Sequence, residues 1–286
     1  MAALLVSALW GGNLVALKLG LSAFPPFWSA FWRMLLGVVA VAAWARYCHL
    51  SLRLRSGERR ALVALGLVFA VQIALLNLGT NWTSPAYAVV LINAHPIFAN
   101  LIGHFVVTEE RLTRLRILGL ALAFGGISYV VLGRPVAALA ARPLLGNFLL
   151  VVSAFLVGLR TVYMRWLIQS IEPERALLWQ MLISLPFFLG LAAGIEPLTV
   201  GPLTAAPVAA LLYQGIPVAG GCFIIWTLLL RRHSAGSLSM FAFTVPFFGI
   251  FFSALIFSEP VTGRVLLGAV LVTAGIGIVT RRPASR

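Results

Sequence analysis

The sequence predicts an all-α membrane protein of ten transmembrane helices, on three observations. Hydrophobic residues make up 61% of the 286 residues and charged residues only 10%, whereas a soluble domain carries about 45–50% and about 25%. Apolar runs long enough to cross a bilayer as a helix, which takes about 20 residues, recur between Ala2 and Thr280. These runs are continuous and do not alternate with polar residues, which favours helices over the strands of a β-barrel.

Proline, glycine and clusters of arginine divide the apolar sequence into spans, because these residues end helices or belong in water. Pro25 and Pro26 separate the first two spans, and the basic segment from Arg46 to Arg60 separates the second from the third. None of the connections could fold as a separate soluble domain. The predicted spans, in order, are 3–22, 27–47, 60–80, 84–107, 114–132, 145–168, 175–194, 206–230, 236–257 and 264–281.

The basic residues predict the orientation in the membrane. Twenty-one Lys and Arg stand against seven acids, all of them Glu, and in a soluble protein the charge of +14 would suggest a nucleic-acid partner. Here fifteen arginines lie in the loops after the even-numbered spans and in the C-terminal tail, and three lie in the opposite loops. The positive-inside rule therefore predicts that both termini are cytoplasmic, and the expected location is the cell inner membrane. The expected partners are the lipid bilayer and a small-molecule substrate, with no nucleic acid.

The two halves of the sequence resemble each other. An offset of 147 aligns Pro26 with Pro173 and Trp32 with Trp179, and an offset of 150 aligns Pro96 with Pro246. The predicted repeats are residues 1–134 and 145–286, each with five spans. Because five is odd, the second repeat enters the membrane inverted, which is typical of secondary transporters. A duplication with a purely structural outcome stays open as the alternative.

Several motifs also resemble a known family, the EamA family of the drug/metabolite transporter superfamily. The motifs are Trp10–Asn13, Lys18, Pro25–Pro26, Arg33, Pro96, Thr108–Thr113 and, more loosely, Ser258–Thr262. The resemblance covers essentially the whole chain, although Gln180 stands where the first half has Arg33. It implies a 5+5 inverted-repeat carrier, commonly an exporter of amino acids, metabolites or toxic compounds, and it says less about the substrate than about the fold.

Interrupted spans in matching positions are the best sequence indication of a transporter site. Pro96 and Pro246 are the predicted hinges, because a proline inside a helix frees a carbonyl one turn earlier and bends the chain. We expect these places to line a cavity, since lipid cannot satisfy free backbone groups. Kinks that only shape helix packing are the alternative.

Polar and amphipathic side chains at membrane depth are the candidate substrate contacts. Asn93, Asn100 and His104 share one helical face, although interhelical hydrogen bonding would explain them equally well. Trp179–Gln180 and Tyr213–Gln214 each place an aromatic ring beside an amide. The candidate substrate-binding residues are Asn13, Asn77, Tyr87, Asn93, His95, Trp179, Gln180, Tyr213, Gln214, Trp226 and Thr244.

Three basic side chains lie within spans. Lys18 is near a span end, where we expect its amine to reach the interface. Arg33 and Arg160 lie deeper, and their partners are expected to be carbonyls, water or a substrate carboxylate, with a structural role as the alternative. Glu109 and Glu259 are predicted at span ends, so no acidic residue is expected in the middle of any span.

The sequence predicts a carrier, not an enzyme. It has no Walker motif, metal-binding cluster or nucleophile elbow, and Cys48 and Cys222 are expected to be free, so no cofactor or metal is predicted. Met1–Ala3 contains no basic residue, and no cleaved signal peptide is expected.

We expect export of small amphipathic solutes by alternating access, most readily amino acids including hydrophobic and aromatic ones, without an imposed ion gradient. A multidrug or toxic-cation exporter, a membrane-embedded enzyme and a channel are the alternatives; the oligomeric state is not predicted, and a monomer is compatible with the sequence.

Overall fold

The structure is a computed structural model that describes residues 1–106, 114–133, 137–232, 241 and 244–280. Within these ranges every regular element is helical. In chain order the helices are α1 (Ala2–Gly20), α2 (Pro26–Tyr47), α3 (Arg59–Trp82), α4 (Pro85–Ile92), α5 (His95–Val106), α6 (Arg114–Val131), α7 (Pro143–Leu167), α8 (Pro173–Ile195), α9 (Ala205–Tyr213), α10 (Phe223–Arg232), α11 (Val245–Phe257) and α12 (Gly263–Thr280). A π-helical segment, Gln214–Cys222, joins α9 to α10.

Seven helical stretches of the described chain are long and apolar enough to cross a membrane. Two of these stretches are composite: one is made of α4 with α5, and the other of α9, the π segment and the start of α10. Three shorter apolar helices, Ile117–Val131, Val245–Phe257 and Gly263–Ile278, lie at the fifth, ninth and tenth predicted spans. The prediction of an all-helical membrane protein is confirmed, and the 5+5 inverted repeat stays a prediction.

Prolines set the beginnings of several helices. Pro26, Pro85, Pro143 and Pro173 are each the first residue of a helix. This position favours proline, because its ring fixes a helical φ and the missing N–H has no partner within the helix. The prolines that mark boundaries between apolar spans in the sequence are therefore the first residues of helices in the structure.

The fourth predicted span is two helices, α4 and α5, with a break at Asn93 and Ala94. Pro96 has no N–H to donate to the carbonyl of Ile92, one turn earlier. The ring nitrogen Nδ1 of His95 lies 3.1 Å from that carbonyl oxygen instead. On the α4 side of the break, the side-chain amide of Asn93 donates a hydrogen bond to the carbonyl of Val89 at 2.8 Å.

The two predicted hinge prolines occupy matching positions in the two halves. Pro96 is the second residue of α5 and Pro246 is the second residue of α11. Thr244 is a turn residue that precedes α11. The predicted start of the ninth span, 236–240, lies outside the described residues.

Helix packing follows a matched pattern between the halves. α3 packs on α7, and the corresponding contact with the halves exchanged is that of α1 with α9 and the π segment. In the same way, the contact of α7 with α4 and α5 corresponds to that of α1 with α11. α2 contacts the π segment, and α8 contacts α3. Two further contacts, α2 with α8 and α6 with α12, join equivalent helices of the two halves. At the last of these a Cβ on Gly119 would lie 2.9 Å from the carbonyl oxygen of Gly275, so glycine is needed for this close approach.

The bundle buries its centre and exposes apolar side chains on its outside. Helix α4 is buried around its whole circumference from Pro85 to Leu91. Large apolar side chains such as Leu67, Phe105 and Leu255 are exposed on the surface, as expected for contact with lipid. The break after α4 therefore lies deep inside the protein.

Lys18 makes contacts that the sequence analysis did not predict. Its ammonium donates to the carbonyl oxygens of Thr80, Asn81 and Thr83 at 3.1, 2.8 and 2.9 Å. These carbonyls lie at the C-terminal end of α3, where a helix has no intrahelical donors left for them. The amine of Lys18 is therefore held by the end of α3, and its position relative to the membrane interface stays a prediction.

Candidate functional site

A cavity of about 540 Å³ lies next to the break between α4 and α5. Eight helices, α1, α3, α4, α5, α7, α8, α10 and α11, supply its walls together with Asn93 at the break. The lining residues are Trp10, Leu14, Gln72, Ile73, Leu76, Val89, Ile92, Asn93, His95, Val157, Arg160, Thr161, Met164, Gln180, Phe223, Trp226 and Val245. The volume is within the range of small-molecule sites, and an apolar wall with a few polar groups is typical of them.

Two tryptophans from opposite halves form an aromatic wall. The ring centroids of Trp10, on α1, and Trp226, on α10, are 5.0 Å apart, with their planes tilted by 54°. Phe223 lines the cavity one helical turn before Trp226. Such a surface binds apolar or aromatic groups and also attracts cations to the ring faces.

Two glutamines are among the polar residues of the wall, and they differ in their hydrogen bonds. Gln72 is held in place, since its Nε2 donates to Ser153 Oγ at 3.1 Å and Ser153 Oγ donates to the carbonyl of Gln72 at 2.9 Å. Gln180 is 1% exposed, and its Oε1 has no hydrogen-bond partner among the described residues. Gln180 therefore contributes to the lining an amide whose oxygen accepts no hydrogen bond from the described residues.

The two intramembrane arginines differ in their surroundings. Arg33 is 3% exposed and its Nη1 donates to Oε1 of Gln214 at 3.4 Å, away from the cavity lining. Arg160 lines the cavity, and its guanidinium lies 4.9 Å from the ring centroid of Phe69. The partner of Arg33 is thus a side-chain amide, and Arg160 is the arginine that faces the cavity.

A family model describes this chain almost end to end. The model of the EamA-like transporter family matches residues 1–132 and again residues 144–281. The chain belongs to the EamA-like transporter family. This confirms the resemblance seen in the sequence motifs, and the double match agrees with the two halves recognised there.

Similar proteins support the same assignment. An uncharacterized transporter of Bacillus subtilis is 24% identical over 95% of this chain and 92% of its own length. A protein of Salmonella typhimurium named "probable amino-acid metabolite efflux pump" is 29% identical over 96% of this chain and 92% of its own length. A solved crystal structure has the same fold, with a TM-score of 0.69 and 17% identity over 97% of this chain and 95% of that chain. The protein is therefore a membrane transporter of the EamA type.

Four of the eleven predicted substrate contacts of this EamA-like protein line the cavity. They are Asn93, His95, Gln180 and Trp226. They come from the helix break, α5, α8 and α10, so the cavity collects predicted residues from both halves.

The other seven predicted contacts lie outside the cavity lining, and four of them join helices or loops. Asn77 Nδ2 donates to the carbonyl of Pro26 at 2.7 Å, and Tyr213 Oη donates to the carbonyl of Leu9 at 2.6 Å. Trp179 Nε1 donates to the carbonyl of Leu52 at 3.0 Å, on the connection between α2 and α3. Gln214 accepts from Arg33, as described above.

The remaining three are placed differently. Tyr87 is 2% exposed and its hydroxyl lies against Gly133. Thr244 Oγ1 donates to the carbonyl of Phe241 at 2.6 Å. Asn13 is half-buried and its Oδ1 has no hydrogen-bond partner among the described residues.

The structure adds polar lining residues that the sequence analysis did not select as substrate contacts. Trp10 and Gln72 lie in the middle of apolar spans. A polar or amphipathic side chain at this depth is the same signal that selected the predicted contacts, and it could have identified both. Thr161 could not be recognised, since a threonine in a membrane helix often bonds its own backbone, as this one does to the carbonyl of Val157 at 2.7 Å. Arg160 was not among the predicted substrate contacts, although a substrate carboxylate was one of its expected partners.

Proposed function

We propose that this EamA-like protein is a secondary transporter that exports small amphipathic solutes across the cell inner membrane, with amino acids as the first substrate class. The observation that carries the proposal is the cavity beside the α4–α5 break, with walls from both halves of the chain. Transporter sites lie near the bilayer midplane between two repeats, next to discontinuous helices. This cavity has walls from both halves of the chain and lies next to the break between α4 and α5, and these two features support the proposal.

The packing pattern supports a 5+5 inverted repeat and alternating access. Three contacts between the halves have an equivalent in which the halves are exchanged: α3 on α7 corresponds to α1 on α9 with the π segment, α7 on α4 and α5 corresponds to α1 on α11, and α2 on the π segment corresponds to α8 on α3. Pro96 and Pro246 begin equivalent helices, each in second position. Two bundles of this kind can rock against each other about the central cavity. The 15:3 distribution of arginines supports cytoplasmic termini.

The cavity chemistry supports amphipathic substrates, including hydrophobic and aromatic amino acids. Trp10, Trp226 and Phe223 offer an apolar surface, while Gln180 and Asn93 offer amides. The name of the Salmonella typhimurium relative, an amino-acid metabolite efflux pump, supports the same class. Substrates rich in phosphate fit less well, since they would need clustered cations and the described lining holds one arginine.

Transport down a solute gradient requires no ion-binding acid, and none lines the cavity among the described residues. An exporter of a solute that accumulates in the cell can work in this way. We therefore propose exchange-capable, facilitated transport without an imposed ion gradient.

Counterflow in proteoliposomes tests the function. Purified protein is reconstituted with unlabelled amino acid inside and a trace of the same radiolabelled amino acid outside, at equal pH and equal ions on both sides. A carrier transiently accumulates the label, and the rate saturates with concentration. Leak without saturation would indicate a channel, whereas accumulation of organic cations but not amino acids would indicate a multidrug exporter. Counterflow that appears with a proton gradient alone would contradict facilitated transport.

A further inference from the structure

Arg160 occupies an unusual place for a charged side chain in a membrane helix. It lies on α7, where Val157, Thr161 and Met164 line the cavity from the same helical face. A guanidinium at membrane depth is costly unless it is paired or hydrated. Its contact with Phe69 at 4.9 Å supplies a cation–π interaction, which uses the face of the guanidinium and none of its N–H groups.

Arg160 has no hydrogen-bond or ion-pair partner among the described residues, in contrast to other cations of the bundle. Arg175 is paired with Glu58 and Glu172, Arg264 donates to the carbonyl of Tyr129, and Lys18 donates to three carbonyls. Each of these cations thus has at least one polar partner from the protein itself. The five donors of the Arg160 guanidinium are available to the contents of the cavity.

The cavity contains a positive charge that its described lining does not neutralise. The lining includes neither Asp nor Glu. The sequence has no Asp, and the five described Glu residues lie at helix ends or in the connections between helices. A carboxylate is the anion whose planar geometry matches the guanidinium, with two parallel hydrogen bonds.

We propose that Arg160 is the carboxylate-binding residue of the cavity, and that it selects substrates with one carboxylate beside an apolar or aromatic group. The inference rests on the proposed function, in that the cavity is the substrate site. Trp10 and Trp226 receive the apolar group, and the unused Oε1 of Gln180 can accept a hydrogen bond from an ammonium or hydroxyl group. Amino acids and simple monocarboxylates both satisfy this arrangement, whereas amines without a carboxylate do not.

Ligand pairs that differ in the carboxylate test the inference on the purified protein. L-Phenylalanine and 3-phenylpropionate carry the carboxylate, and L-phenylalaninamide and phenethylamine lack it. L-Leucine and L-leucinamide form the aliphatic pair. Binding is measured by isothermal titration calorimetry, and the carboxylates should bind at least about tenfold more tightly than their matched amines.

Variants assign that difference to Arg160. R160Q should weaken binding of the carboxylates by about 10- to 100-fold and leave the amines unchanged, since a charge-assisted hydrogen bond is lost. R160K keeps the charge without the bidentate geometry and should lie between. R142Q is the matched control, because Arg142 is the N-cap of the same helix, is exposed, and also lies over an aromatic ring, that of Trp82 at 5.7 Å. If R160Q does not fold, the R160K variant and the ligand pairs measured on the wild-type protein still test whether Arg160 binds the carboxylate.

The outcomes separate the inference from the function on which it rests. Equal binding of carboxylates and amines, binding of none of these probes, or carboxylate binding unaffected by R160Q and R160K would overturn the role of Arg160. Carboxylate-dependent binding without counterflow by the wild-type protein would overturn the proposed transport and leave the Arg160 site standing. Counterflow of amines as fast as of carboxylates would support transport and overturn the selectivity.

Discussion

Arg175 Nη1 lies 2.6 Å from Oε1 of Glu58, and the two side chains are 1% and 10% exposed. Arg175 belongs to the first turn of α8, while Glu58 lies on the connection from α2 to α3. A second bond of 2.6 Å joins Nη2 of Arg175 to Glu172, which is half exposed. One guanidinium therefore fixes the start of α8 to the neighbouring helix connection.

Removal of one partner of this buried pair should strongly destabilise the protein. R175A leaves the Glu58 carboxylate buried without its cation, which costs about 3–5 kcal/mol in comparable pairs. The thermal unfolding temperature of the purified protein is the measurement, and E58A should lower it as well. R55A is the matched control, since Arg55 is exposed and lies 3.8 Å from Glu172; its cost should be within about 1 kcal/mol. Equal effects of R175A and R55A would show that the pair contributes little.

At the opposite end of the bundle, Glu196 caps the start of α2. Its carboxylate accepts hydrogen bonds from the backbone N–H of Phe27 at 2.9 Å and of Trp28 at 3.1 Å. These N–H groups have no acceptor within the helix, so the carboxylate satisfies them from the end of α8. Burial raises the pKa of Glu196 above its ordinary value, and this outweighs the N–H groups, which lower it.

Substitution of Glu196 should change both the stability and its pH dependence. E196A removes the cap, at a cost of about 0.5–2 kcal/mol. Because the folded state has the higher pKa, it binds the proton more tightly than the unfolded state, and this carboxyl adds stability as the pH falls through its folded-state pKa. E196Q should therefore lose that increase at acidic pH. Unfolding temperatures of both variants across the acidic range check this, and a pH profile of E196Q identical to wild type would contradict it.

Helix positions could be predicted from the sequence because their signals are local. Pro26, Pro85 and Pro173 mark helix starts through the geometry of their own rings, without any information about neighbouring helices. The interruption near Pro96 is local for the same reason. Apolar composition then identifies the spans, since the bilayer and not a partner helix sets their length.

The inward faces could not be predicted, because they depend on which helices become neighbours. Trp179 and Gln180 are adjacent on α8 and point about 100° apart. Gln180 lines the cavity, while Trp179 bonds to Leu52 on the connection after α2. The sequence predicted both as contacts, because polarity alone does not say which of two neighbours faces inward. Tyr213 was selected on the same grounds and bonds to Leu9.

The cavity therefore predicts different phenotypes for two tryptophans. W226A removes an aromatic wall of the cavity and should raise KM or lower the transport rate, with expression and unfolding temperature near wild type. W179A lies outside the lining and should lower stability while KM stays unchanged. Counterflow kinetics and unfolding temperatures of both variants make the comparison. A KM effect confined to W179A would show that the substrate binds elsewhere.

The hydrogen-bond acceptor of Gln180 can be removed without a large change in the volume of the side chain. Q180L keeps a similar size and removes Oε1, which has no hydrogen-bond partner among the described residues. A buried unsatisfied group costs stability, so Q180L should unfold at the same or a higher temperature. Its transport of amino acids should fall at the same time, because an ammonium group loses its acceptor. Full transport by Q180L would contradict a role for this amide in substrate binding.

The break between α4 and α5 should be required for transport but not for insertion into the membrane. P96A restores an N–H that can bond to the carbonyl of Ile92 and join the two helices, because a proline inside a helix disfavours it by about 3 kcal/mol. P246A makes the equivalent change at the start of α11. We expect the double variant P96A/P246A to reach the membrane at wild-type levels and to lose most of its counterflow. P143A is the matched control, since Pro143 is the first residue of α7 and lies outside the cavity lining, and it should transport normally. Unchanged counterflow by the double variant would reduce both prolines to a role in helix packing.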